Sequence, residues 1–257
     1  KLSLVPFHMW TPDVYQGAPT PVTGFLATVS KGAVFVALAR IYMDAELHQY
    51  ESLILALSVL AAFSMLIGNL LALLQEDIKR LLAYSSIAHF GYLLIVLIAL
   101  TGSEMASEAV TFYLAAYILT TLGAFTVIAR VSREDQQKSQ ISEFEGLFWR
   151  NKIQATALTI AMLSFAGIPL TAGFMAKFFV INVAIQGSHW FLLSALVIGS
   201  AIGIYYYLRI IFSMSKTSGN DIGFRDRSGD ITALLLTVLI LMLGSWPQPF
   251  IAFAGGL

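Results

Sequence analysis

The segment Gly167-Ile168-Pro169-Leu170-Thr171-Ala172-Gly173 sits in the middle of an apolar stretch running from about 153 to 186. As one helix rising about 1.5 Å per residue, that stretch would be roughly 51 Å long, against roughly 30 Å of hydrocarbon in a bilayer. Two full crossings and a turn do not fit into it either. Pro169 removes a backbone donor, and Gly167 and Gly173 loosen helical geometry on either side of it. The spacing predicts one discontinuous helix, broken near the bilayer centre. Helices broken at that depth mark ion or substrate sites in transporters. The plainer alternative is a proline kink.

The rest of the chain supports a membrane setting. Of 257 residues, 58% are hydrophobic and 12% charged, about half the charge of a typical soluble domain. That excludes an ordinary soluble enzyme and a disordered chain. Fifteen basic residues balance fifteen acidic ones, so no basic field draws nucleic acid as a partner. The absence of cysteine excludes disulfides, thiolate metal sites and iron–sulfur clusters held by this chain. Six further apolar segments, about 21–42, 53–75, 81–100, 109–129, 190–212 and 232–253, each approach the length needed to span lipid as a helix. Thr20-Pro21, Ser52 and Asp230 supply helix starts. The expected fold is an all-α, polytopic membrane helix bundle with discontinuous helices. Residues 1–10 read as the tail of an earlier helix interrupted by Pro6, and 11–20 as a loop. The chain opens on Lys1 without an initiator methionine or signal peptide, so an upstream part is expected.

Charge fixes an orientation. The turns near 76–80, 130–152 and 209–227 hold Lys79, Arg80, Arg130, Arg133, Lys138, Arg150, Lys152, Arg209, Lys216, Arg225 and Arg227. The opposite loops, 43–52, 101–108 and 187–189, hold no basic residue; Arg40 lies just before the first. By the positive-inside rule the first set faces the cytoplasm and the C-terminus lies outside.

Three basic residues remain, all lysines: Lys1, Lys31 and Lys177. Lys31 is in the middle of the 21–42 span, and Lys177 lies one turn beyond Gly173. No Asp or Glu occupies the centre of any span. A charge at mid-bilayer costs at least about 2.5–3.5 kcal/mol on insertion scales, a cost that function usually offsets. Arginine stays protonated, whereas a buried lysine can gain and lose its proton. Buried lysines therefore suit a proton relay. The competing reading is a lysine paired for packing, or one snorkelling to the interface, which suits Lys1 better than Lys31.

Polar stripes accompany the lysines. Thr28 lies one turn before Lys31. Ser85, His89 and Tyr92 share one face of their span, and Tyr113, Tyr117 and Thr120 make a similar stripe on the next. Such stripes hold waters and bind helices together. His89 is the histidine near a span centre and titrates in a useful range. No phosphate loop, metalloprotease motif, nucleophile elbow or haem-ligating histidine pair is present.

At this point a family resemblance is visible. The stretch Val5-Pro6-Phe7-His8-Met9-Trp10-Thr11-Pro12-Asp13-Val14-Tyr15-Gln16-Gly17-Ala18-Pro19-Thr20-Pro21-Val22-Thr23 closely resembles the antiporter-like subunits of respiratory complex I, the NADH:quinone oxidoreductase. So do Lys79 through Tyr92 and Gly167 through Phe178. The form of Asp13–Thr23 is similar to the N type of these subunits rather than the L or M type. The resemblance implies a fold of two inverted five-helix repeats with broken seventh and twelfth helices. Residues 1–20 would then be the end of the first broken helix plus a loop. Residues 21–42 would close the first repeat, and 53–212 would form the second, with 153–186 broken. Residues 232–253 would be the final helix. The resemblance also implies a proton path along Lys1, Lys31, His89 and Lys177, lined by Thr28, Ser85, Tyr92 and Tyr117, with Pro6, Gly167, Pro169 and Gly173 as hinges. Relatives carry a glutamate on an earlier helix, and some have glutamate where this chain has Lys177. NADH, FMN, iron–sulfur clusters and a quinone such as ubiquinone are implied on other subunits, none in this chain. Other membrane subunits, neighbouring antiporter-like ones among them, and the bilayer are the implied partners, in a bacterial inner membrane. The rival readings are a subunit of a multi-subunit cation/proton antiporter and a scaffold without transport.

Overall fold

The computed structural model describes residues 1–100, 104–134, 139–217 and 227–254. Among these the chain is helical, with no strand and a single isolated bridge between Asp77 and Gln140. In chain order the helices are α1 Trp10–Gly17, α2 Thr20–Asp44, α3 Glu51–Leu73, α4 Ile78–Ile98, α5 Glu104–Glu134, α6 Lys152–Ala166, α7 Ala172–Gln186, α8 Trp190–Ser215, α9 Arg227–Ser245 and α10 Gln248–Ala254. Five of them (α2, α3, α4, α5 and α8) are long and apolar enough to cross a membrane.

The expected break is present. Helix α6 stops at Ala166, Gly167 takes a left-handed turn (φ +80°), and α7 resumes after Thr171. Pro169 lies in the non-helical segment, and Leu170 also has positive φ. The two halves stay in register because the Gly173 amide donates to the Ser164 hydroxyl at 3.0 Å.

Three expectations about boundaries change. Residues 1–9 form turns rather than the end of a helix, so Pro6 interrupts no helix among the described residues. The expected loop 11–20 instead contains α1. Pro12 falls in that helix's first turn, where the missing N–H has no acceptor to lose. The expected 232–253 span is two helices, because Pro247 cannot continue α9 and a short α10 follows it. Helix α5 is also longer than 109–129 and carries Arg130 and Arg133, placed in a loop by hydropathy alone. Lys138, Arg225 and part of the 101–108 loop lie outside the described residues.

Helix α4 is the axis of the bundle. Every residue from Ile78 to Ile98 except Arg80 is buried, whereas α3 and α8 expose Leu55, Phe63, Ile198 and Phe212 on the face left for lipid. Side chains alone do not explain how α3 and α4 approach so closely. A methyl group on Gly68 would lie 2.9 Å from the Ala88 amide nitrogen, and one on Gly91 would lie 3.0 Å from the Ala61 carbonyl. Small residues at both points let the two backbones touch, the usual device where lipid offers no hydrophobic drive to association.

Several basic residues do more than face water. Asp77 caps α4 through the Lys79 and Arg80 amides at 2.9 and 3.0 Å. The Lys79 ammonium is buried and donates to the Gln16 and Ala18 carbonyls, where α1 ends. Arg80 pairs with Asp13 at 2.5 Å, Arg150 donates to the Glu143 and Glu145 carbonyls, and Arg209 donates to the Leu73 and Gln75 carbonyls. Cations here saturate carbonyls orphaned at helix ends.

Replacing Gly91 with alanine should lower stability by about 1–3 kcal/mol, because the added methyl meets the Met65 Cγ at 2.8 Å and the α3 backbone at 3.0 Å. A thermal unfolding scan of the purified full-length subunit in its complex checks this. Gly17→Ala, which meets nothing within 4 Å, is the matched control.

Candidate functional site

Besides Lys79 at the start of α4, Lys31 and Lys177 are buried; they lie on different sides of α4, and each is held by neutral groups. Lys31 is 2% exposed. It follows a π-helical turn, Leu26–Ser30, that interrupts α2. Such turns re-aim the side chains that follow them and are frequent at functional sites. Its ammonium donates to the Ser86 hydroxyl at 2.7 Å, and that hydroxyl donates to the Ala83 carbonyl at 2.7 Å. The Tyr15 and Phe90 rings flank the nitrogen at 5.4 and 5.5 Å, within cation–π range. Thr28, expected to line the path, donates instead to the Gly24 carbonyl of its own helix at 2.6 Å.

Lys177 depends on the helix break. Its ammonium donates to the Ala166 carbonyl at 3.0 Å and to the Ser200 hydroxyl at 2.7 Å. Ala166 is the last residue of α6, so its carbonyl belongs to the set left without an in-helix partner. The negative end of that helix faces the cation. The lysine stem packs on Gly167: a Cβ there would lie 2.8 Å from Lys177 Cδ. Tyr92 offers its ring to the ammonium at 5.6 Å. Among the described residues no carboxylate lies within ion-pair range of either lysine, and no metal-binding cluster occurs.

His89 stands between them. Its Nδ1 is 2.7 Å from the Tyr113 hydroxyl and its Nε2 is 3.3 Å from the Tyr207 hydroxyl, which is itself 2.5 Å from the Ser85 hydroxyl. Tyr92, Tyr117 and Phe165 pack around the ring. A cavity lined by His89, Tyr117, Thr120, Ser164 and Gly173 offers a water's centre about 10 Å³, room for about one water. Asn69 braces the far side, donating to the Tyr92 hydroxyl at 3.0 Å and accepting from the Tyr206 hydroxyl at 2.8 Å.

One stripe of α4 thus serves all three stations. Ser86 accepts from Lys31, His89 meets the tyrosines, and Tyr92 underlies Lys177. Ser86 and Tyr92 are about 9 Å apart along the axis and about 120° apart around it. Of the expected residues, Lys31, His89, Lys177, Ser85, Tyr92, Tyr117, Gly167 and Gly173 gather here. Lys1 is exposed, apart from this cluster. Ser86, Ser200, Asn69 and Tyr207 were missed. Each is a polar residue in an otherwise apolar span, which is the signal that would have found them. His8 is also buried, with both ring nitrogens lacking a partner and its ring 6.5 Å from that of Tyr84.

Residues 1–203 match the NADH:quinone oxidoreductase/Mrp antiporter transmembrane family. The chain belongs to this family. An antiporter-family relative, subunit N of the NADH-quinone oxidoreductase of Methylococcus capsulatus, is 50% identical over 256 residues, covering 98% of this chain and 52% of that protein. The chain therefore spans about half the length of the curated relative it matches. A chain of respiratory complex I from Thermus thermophilus with bound aureothin superposes with a TM-score of 0.83 at 35% identity, over 98% of this chain and 55% of that one. A chain of the Mrp complex of Dietzia gives 0.86 over 99% and 56% at 21% identity, a likeness of fold. The all-helical membrane bundle with a broken helix is the antiporter-family architecture.

Gly167→Ala should cost about 1–2 kcal/mol for the left-handed backbone and push the Lys177 stem off its seat. A lowered melting temperature in a thermal unfolding scan is the expected result. Gly187→Ala, just past the end of α7, should leave it nearly unchanged.

Proposed function

We propose that this chain is part of a proton-translocating membrane subunit of an NADH:quinone oxidoreductase. The observation carrying that reading is the placement of Lys31 and Lys177, buried away from any carboxylate, about Ser86, His89 and Tyr92 on one almost wholly buried helix. A lysine locked in an ion pair would hold its proton. One held by a hydroxyl or a carbonyl can release it when the local field changes. His89 has a hydroxyl at each ring nitrogen, so it can accept a proton at one and release one at the other. A water beside it would extend the path toward Ser164 and the broken helix. Redox chemistry on partner subunits, which would carry NADH, FMN, iron–sulfur clusters and quinone, supplies the change in field. Lys1 would join the relay only where other membrane subunits or the rest of this subunit enclose it.

The complex I reading is favoured over a cation/proton antiporter because the identity to the complex I subunit is 50%, against 21% for the Mrp chain. Co-purification of flavin and iron–sulfur proteins with the subunit distinguishes the two.

Lys31→Met and Lys177→Met should assemble normally, because methionine fills the same space. Each should lower proton pumping and coupled quinone reduction by about tenfold or more, a conservative figure for loss of a positioned proton carrier. Lys31→Arg should fail equally, since it keeps the charge but cannot release the proton. Undiminished pumping in either methionine variant overturns the relay.

The basic loops are proposed to face the cytoplasm. The lack of native cysteine gives a clean test. Lys216→Cys should react with an impermeant maleimide in inverted vesicles, and His48→Cys in right-side-out ones.

A further inference from the structure

A second cavity lies away from Lys31, His89 and Lys177, at the end of the bundle where the basic residues gather. It is a half-open groove of about 550 Å³ between α8 and the segment after the Asp77–Gln140 bridge. One wall is a face of α8. Tyr205, Leu208, Arg209 and Phe212 follow one another at three- and four-residue spacing, and Tyr205 and Phe212 are 64% and 66% exposed. The other wall carries Glu76 and Glu145, and Lys216 stands at the end of α8. The cavity is therefore apolar toward the span and charged toward its end.

The charges are of both signs and sum to zero: Arg209 and Lys216 against Glu76 and Glu145. Lys216 reaches Glu145 at 2.7 Å, but the pair is exposed, and such pairs are worth little and exchange partners readily. The Glu76 carboxylate has no ion-pair partner among the described residues. Arg209 gives its terminal nitrogens to backbone carbonyls, and its Nε is buried without an acceptor. The site thus offers Lys216 for an anion and the unpaired Glu76 carboxylate for a cation, beside an exposed apolar stripe about two turns of α8 long.

We propose that this cavity binds one phospholipid with a zwitterionic primary-amine headgroup, of the phosphatidylethanolamine type. The phosphate lies by Lys216, the ammonium donates to Glu76, and an acyl chain runs along Tyr205, Leu208 and Phe212. A purely anionic lipid would leave Glu76 and Glu145 repelling it. A choline headgroup has no N–H to donate to a carboxylate. The inference does not depend on the proton relay.

Native mass spectrometry of the intact complex, delipidated and titrated separately with phosphatidylethanolamine, phosphatidylcholine and phosphatidylglycerol, tests it. One ethanolamine lipid per subunit should be retained at about tenfold lower concentration than either competitor, the effect of about one charge-assisted hydrogen bond. Glu76→Gln with Lys216→Gln should abolish that preference while leaving assembly unchanged. A photoreactive benzoylphenylalanine placed at Phe212 should crosslink to lipid. Equal retention of the three lipids, a preference that survives the double substitution, or crosslinking to a neighbouring polypeptide or to this chain's own loops would overturn the proposal.

Discussion

An ammonium group cannot stand bare in hydrocarbon, and the rest of this bundle is arranged around that restriction. Lys31 and Lys177 receive no carboxylate. They receive hydroxyls, aromatic faces and, for Lys177, a carbonyl that an unbroken helix would have kept for itself. A continuous α6–α7 helix would satisfy its own backbone and leave Lys177 unsolvated. The break therefore exchanges internal hydrogen bonds for a cation site at the end of a helix dipole.

The arrangement places strong demands on α4. A polar network in a low-dielectric interior strengthens when complete and is costly when any member loses its partner. Ser86, His89 and Tyr92 must face three different neighbours within two turns, so α4 is enclosed on all sides. The glycines at its crossing with α3 allow that enclosure. Lys79, Asp77 and Arg80 tie its start to α1, which in turn brings Tyr15 beside Lys31. Charged residues at the start of α4 thus also fix which ring stands beside Lys31.

The likeness to an Mrp chain and to a complex I chain, at nearly equal TM-scores, shows that one architecture serves both assemblies. Fold alone does not separate their functions. The separation comes from the identity of the buried residues and from the proteins attached to the bundle. In this chain Lys31 and Lys177 put the same chemical group on the two sides of α4.

The membrane setting, most of the apolar helices, the broken helix at 167–173 and the presence of Lys31, His89 and Lys177 inside apolar helices were legible in the amino-acid order. Each rests on a strong local quantity: transfer free energy over a span, the missing N–H of proline, or the penalty for a charge in oil. Pro12 and Pro19 read as loop signals, yet α1 runs through Pro12 and ends before Pro19, because a proline in a first turn sacrifices no bond. The partners of the lysines were not legible. Ser86 rather than Ser85 meets Lys31, Ser200 comes from the next helix, α8, and Thr28 turns back on its own backbone. Which hydroxyl reaches which nitrogen depends on the rotation of helices about their axes. That rotation is set by close packing at Gly68, Gly91 and Gly167 and by the π-turn before Lys31. It is a property of many contacts at once, which no single stretch of residues encodes.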